Sequence, residues 1–250
     1  MNPRYVTAPD HVAACDLGPD TATVLVNYRS GGVHTLIGPF ARWWAELAMT
    51  GDLSSTGAPA ASEAAHLITQ LRAAGLLISS DEAHPWAGPL TGQPWKLSFG
   101  TEELQAGRAL LPPVPRRLLA TAAVTVALTL AVQHLGRGRC RMARILRLLT
   151  LAHTHCLRPA TAEQAEQAVY AVRRIGLLVP GRVACLEESV ASVLLLAASR
   201  VRVDWCHGVA ADPIRLHAWV ETDHGPVAEP PSTARYTSIR TIPNRNQGRA

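Results

Sequence analysis

An α+β protein of two domains is what this 250-residue chain predicts, on three observations. Residues 5–80 read as strands followed by helices. Residues 81–96 carry three prolines and two glycines, the composition of a linker. Residues 97–250 read as helices followed by extended segments, and a hydrophobic fraction of 48% supplies a core for each domain.

In the first domain, 1–80, Val12 to Leu17 is a short strand. Thr23 to Tyr28 and Val33 to Ile37 form a hairpin through Arg29-Ser30-Gly31-Gly32, with glycine at the tip. A helix over Phe40 to Met49 puts Phe40, Trp43, Trp44 and Leu47 on one side. A second, over Ala60 to Ala74, aligns Ala64, Leu67, Ile68 and Leu71 and stops at Gly75, a C-cap. Thr50 to Pro59 between them has room for one short helical turn. Leu76 to Ile78 is the closing strand. In the linker, Trp86 and Trp95 are candidates to pin the domains together.

The second domain opens with its most apolar stretch, Leu118 to Leu135. As a helix this would reach ~27 Å at ~1.5 Å per residue, close to a bilayer's hydrocarbon width. Thr121, Thr125, Thr129 and Gln133 recur every four residues along it, however, a polar stripe that favours a buried helix over a lone membrane span. Gly136 to Leu149 alternates five arginines with Met142, Ile145, Leu146 and Leu148, an amphipathic basic helix that leaves peripheral membrane contact open. Thr161 to Ile175 is a helix with Thr161 as N-cap and Gln164 completing a capping box. From Val183, apolar residues at helical spacing run to Ala197, after Pro180-Gly181 ends what precedes. Val201 to Val209, Arg215 to Glu221 and Pro226 to Glu229 are extended.

Chemistry gathers in this last part. Cys185 falls in the first turn of its helix, where unpaired N–H groups and the helix dipole favour a thiolate. His217 lies on a strand, on the face shared by Arg215, Trp219 and Glu221. Glu229 follows as a carboxylate for orienting the imidazole, with Asp223 as its rival in the preceding turn. The order is that of a nucleophile, a base and an acid. Cys206 and His207, adjacent on one strand, point to opposite faces and do not make a pair. Asp204 and His207 are read as surface residues.

The pattern Cys185-Leu186, a helical run, Val209, His217-Ala218-Trp219-Val220-Glu221 and the Gly225 turn resembles the transglutaminase-like leader peptidase of lasso-peptide biosynthesis, the B protein of those pathways. The intervals of 32 residues from Cys185 to His217 and 12 from His217 to Glu229 also resemble it. Two departures stand out. Glu229 occupies the place where the family more often has aspartate, and Glu187 and Glu188 follow the nucleophile, where their charge would raise a thiol pKa.

The resemblance implies a papain- or transglutaminase-like cysteine peptidase domain over 97–250, with Cys185 as nucleophile and His217 as general base. It also implies a small winged-helix domain over 1–80 that binds the leader of a ribosomally made precursor. A peptide strand would add to the edge Val33, Thr35 and Ile37 and lie against Ile68 and Leu71 of the second helix. A macrolactam-forming cyclase is the implied partner, and no cofactor is called for.

The net charge of +5 comes almost wholly from arginine, since Lys96 is the only lysine. No basic run is interleaved with aromatics, and the 60–74 helix offers only Arg72 as a base, a poor phosphate-binding face, so nucleic acid is excluded. The five cysteines are odd in number and irregularly spaced, as reduced cytoplasmic thiols would be. The first twelve residues have no signal-peptide shape. His153, His155 and Cys156 lack the second ligand pair that a zinc site needs. The same Cys and His would also serve an acyl or peptidyl transferase, and a non-catalytic peptide-binding module would need neither.

Overall fold

A computed structural model describes residues 4–18, 21–54, 61–93, 112–136, 138–211 and 213–244. The chain divides into two compact units, Met1–Trp95 and Lys96–Ala250.

In the first unit, β1 (Tyr5–Thr7) is followed by a meander of β2 (Val12–Asp16), β3 (Ala22–Asn27) and β4 (Gly32–Ile37). Gly31 at the hairpin tip adopts φ 86°, a left-handed conformation open to glycine at little cost. Two helices follow, α1 (Pro39–Thr50) and α2 (Ala61–Ala73), the second ending at Gly75 with φ 67°. Trp43, Trp44 and Leu47 of α1 pack with Ile68 and Leu71 of α2 and with Leu25 and Leu36 in one core.

The closing strand β5 (Ile78–Ser80) lies slightly later than the sequence implies, because Leu76 and Leu77 are taken into the core; it pairs with β1, which short length hid from a reading by periodicity. Part of the expected linker also returns to this unit. Trp86 donates its backbone N–H to Ala48 O and sets its ring edge-on to Trp44 at 5.8 Å, and β6 (Leu90–Thr91) runs parallel to β2. An indole buries too much apolar surface to stay in a loop while Trp44 is near. Trp95 and the second half of the Thr50–Pro59 stretch, 55–59, lie outside the described residues.

The sheet order β4-β3-β2-β6 leaves β4 at an edge, with Val33 and Ile37 exposed. Ile68 and Leu71, expected to meet a peptide, face the core instead: the apolar row that stabilises α2 is the one it spends on Trp43 and Trp44. Another face of α2 lines a cleft of about 490 Å³ with Phe40, Glu63, His66, Leu67 and Gln70.

The second unit begins with α3 (Arg116–His134), α4 (Arg141–Thr154), the short β7 (Arg158–Pro159) and α5 (Ala162–Gly176), whose Thr161–Gln164 capping box forms as the sequence predicts. By length and composition α3 could cross a membrane. It packs on α5 and on α6 (Cys185–Ala198), burying Ala122, Thr125, Val126, Thr129 and Gln133. The threonine and glutamine stripe therefore faces inward, while Val124 and Leu128 face out, so the expected buried helix is buried on one face only. Thr125 and Thr129 satisfy their hydroxyls on carbonyls of their own helix. Arg144 of α4 donates to Val132 O and Gln133 O, closing the C-terminal end of α3.

After α6 come β8 (Val201–Arg202), β9 (Asp204–Ala211), β10 (Ile214–Thr222), β11 (Gly225–Pro226) and β12 (Thr237–Ile242). The last four form an antiparallel sheet in the order β11-β10-β9-β12. Helix α6 is apolar on nearly every side and is buried accordingly against α3, α5 and β10. Trp205 Nε1 on β9 donates to Ser189 Oγ of α6 at 3.0 Å, fixing helix to sheet.

Candidate active site

Cys185 is the first residue of α6, as its position after Pro180 and Gly181 predicts. Glu187 organises this start: its Oε2 accepts the Ala184 N–H at 2.9 Å, and its Oε1 accepts from Gln133 Nε2 of α3 at 2.6 Å. Such a carboxylate in the first turn satisfies an orphan donor and suits the dipole.

His217 sits on β10 opposite Gly208 of β9. Its ring stacks on Trp219 at 5.8 Å and meets Tyr236 at 5.2 Å. Gly208 is what lets this happen. A Cβ there would lie 2.6 Å from Thr237 O and 2.9 Å from the Trp219 ring, so any larger residue would displace either β12 or the indole beside His217.

Glu229 takes its place from a loop, since β11 stops at Pro226 and a 3-10 turn begins at Pro231. The expected strand over 226–229 is correspondingly shorter. Oε2 of Glu229 lies 2.6 Å from His217 Nε2 and accepts from Thr233 Oγ1 at 3.1 Å. Oε1 accepts from Arg173 of α5 at 2.9 Å. The same guanidinium donates to Ala228 O at 2.7 Å and to Glu188 Oε2 at 3.2 Å. Asp223, the rival, is exposed in the β10–β11 turn.

With Nε2 committed to the carboxylate, Nδ1 of His217 is the ring nitrogen left for Cys185, whose thiol interacts with the imidazole and with the Ala218 N–H. Burial raises the thiol pKa, but these two hydrogen bonds and the charge of His217 together outweigh it, and the net shift is downward. The charge of Glu187 opposes this, as expected of an acid there; Glu188 is turned instead to Arg173. Burial lowers the His217 pKa, yet its hydrogen bonds to Cys185 and Glu229 prevail and carry it up to about 9. The two shifts together favour a thiolate beside an imidazolium.

Arg173, Thr233 and Tyr236 were not legible as site residues. Arg173 lies on a helix where arginine reads as solvated, 56 residues from Glu229, and no local pattern joins them. Correcting a further expectation, His207 is buried rather than at the surface. It stacks on Trp205 at 5.9 Å, and burial, with the charge of His217, pushes its pKa down to about 4. Cys206 donates to Glu221 Oε2 at 3.3 Å, away from His207, as alternation along β9 requires. Cys156 gives its thiol to Ala152 O and Val201 O.

Residues 124–241 match the family model described as the transglutaminase-like superfamily, a span that contains Cys185, His217 and Glu229. The segment is a transglutaminase-like domain. That superfamily includes cysteine peptidases and transglutaminases, and the transglutaminase-like domain is compatible with either activity. No curated protein and no solved structure matches the chain.

Proposed function

We propose that this protein is the leader peptidase of a lasso-peptide pathway, a cytoplasmic cysteine peptidase that binds the leader of a ribosomally made precursor and severs it from the core. The observation that carries the reading is the junction of Cys185, His217 and Glu229 at the start of a buried helix. The exposed edge β4 and the cleft on α2 in the other unit support leader capture there, by a winged-helix domain to which a peptide adds a strand.

Chemically, the Cys185 sulfur attacks the scissile carbonyl carbon and the π pair moves to oxygen, with the Cys185 backbone N–H as one oxyanion donor. Collapse breaks the C–N bond, and His217 Nδ1–H protonates the departing amine. Water then adds to the thioester carbon as Nδ1 takes its proton; collapse of that adduct breaks the C–S bond, returning the Cys185 thiolate beside imidazolium and releasing the leader as a carboxylic acid. Glu229 holds the proton-bearing Nε2 and stabilises imidazolium throughout. The freed core has a new amino terminus, the group a macrolactam-forming cyclase needs.

The test is incubation of the purified protein with candidate precursors encoded beside its gene, followed by mass spectrometry. A leader-sized fragment ending in a free carboxyl is expected. An adduct with added amine in place of that acid would assign a transferase, and an unmodified precursor that nonetheless binds would assign a peptide-binding module.

A further inference from the structure

Arg173 of α5 joins two elements that the cysteine chemistry needs held together, the loop that carries Glu229 and helix α6. One guanidinium grips Glu229 Oε1 at 2.9 Å, the carbonyl of Ala228 at 2.7 Å and Glu188 Oε2 at 3.2 Å. Ala228 has φ 53°, a left-handed backbone that a non-glycine residue holds at some cost, so its turned carbonyl needs a partner that fixes it. Glu188 stands one turn into α6, three residues after Cys185. A glutamate side chain has several rotatable bonds, so aiming its carboxylate needs both oxygens held. With Oε2 shared by His217 and Thr233, only Arg173 binds the other oxygen in the hydrogen bonds found among the described residues.

Glu188 on α6 and Glu229 in the loop face this guanidinium; the titratable groups around the site it braces are Cys185 and Glu187 on α6, His217 on β10 and His207 on β9. Burial raises the Glu188 pKa and the charge of Glu229 raises it further, opposed chiefly by Arg173 and also by the charge of His217. Arg173 is the arginine set between these two neighbouring carboxylates.

We infer that Arg173 is a positioning residue: it holds Glu229 aimed at His217 while tying the acid-bearing loop to the helix that carries Cys185. The inference rests on the cysteine-catalysis reading. A planar fork with several donors suits this three-way grip, and a lysine ammonium, a single point charge, does not.

The test reads Cys185 directly and needs no substrate. The rate of iodoacetamide alkylation at Cys185 is followed by peptide mass spectrometry across pH 5–10, with circular dichroism as the folding control. In R173M, loss of the grip frees the Glu229 carboxylate to turn from His217, which weakens the hold on imidazolium and raises the thiol pKa. The alkylation midpoint is expected to move up by about one pH unit and the rate at pH 7 to fall about tenfold. R173K, which keeps charge without the fork, is expected to move the midpoint up by about half as much, and E188Q in the R173M background to recover part of the shift. A wild-type midpoint in R173M or in R173K overturns the inference. If R173M does not fold, R173K decides alone by the same criterion. An inert Cys185 in the unaltered protein would instead overturn the cysteine-catalysis reading.

Discussion

Glu229 Oε2 lies 2.6 Å from His217 Nε2, so a glutamate reaches the imidazole from a loop rather than from a paired strand. Its length suits that origin: the side chain spans the gap between the loop and β10 while its second oxygen rests on Arg173.

Glu229→Gln should lower turnover by about 10²–10⁴-fold with the fold intact, because an amide can hold the ring but not the charge of imidazolium. Glu229→Asp should cost several-fold at most if the loop follows the shorter side chain. Asp223→Asn should leave turnover near wild type. Single-turnover cleavage of the precursor measures all three, and damage from Asp223→Asn with a silent Glu229→Gln would reverse the assignment of the acid.

Cys185→Ala should abolish cleavage and leave leader affinity unchanged, as read by fluorescence polarisation with a labelled leader. Wild-type cleavage by this variant would sink the peptidase reading.

Binding is expected to depend on β4. Thr35→Pro removes an N–H from the edge and should weaken the leader at least tenfold, while Leu67→Asp should do so through the cleft on α2. Ile68→Val, a change inside the core, should lower stability by about 1 kcal/mol and leave affinity alone. Undiminished affinity in both Thr35→Pro and Leu67→Asp would remove the leader from this unit.

His207 and His217 should bend stability against pH in opposite senses. The folded pKa of His217 is raised to about 9, so its contribution is complete below its unfolded value near 6.5 and is lost as pH rises through 9. The folded pKa of His207 is depressed to about 4, so the unfolded chain takes up the proton first and stability falls as pH drops from 6.5 towards 4. The loss should be on the order of 2–3 kcal/mol. Urea unfolding at pH 7 and pH 4.5 checks it: the drop should shrink in His207→Gln, and an equal drop in that variant would show that other groups carry it.

Much of this was present in the sequence. Helical spacing after Pro180-Gly181 put Cys185 in a first turn, alternation put His217 and Trp219 on one face, and the Thr161–Gln164 box marked its helix start, since each is a local rule within a few residues of chain. The tertiary structure alone decided which side of α2 goes inward, that His207 is buried, that Trp86 and β6 rejoin the first unit, and that Arg173 grips Glu229 across 56 residues. Those outcomes depend on which distant surfaces meet. Burial is a contest among all the apolar faces of a unit, and an ion pair forms between elements whose proximity no local spacing records.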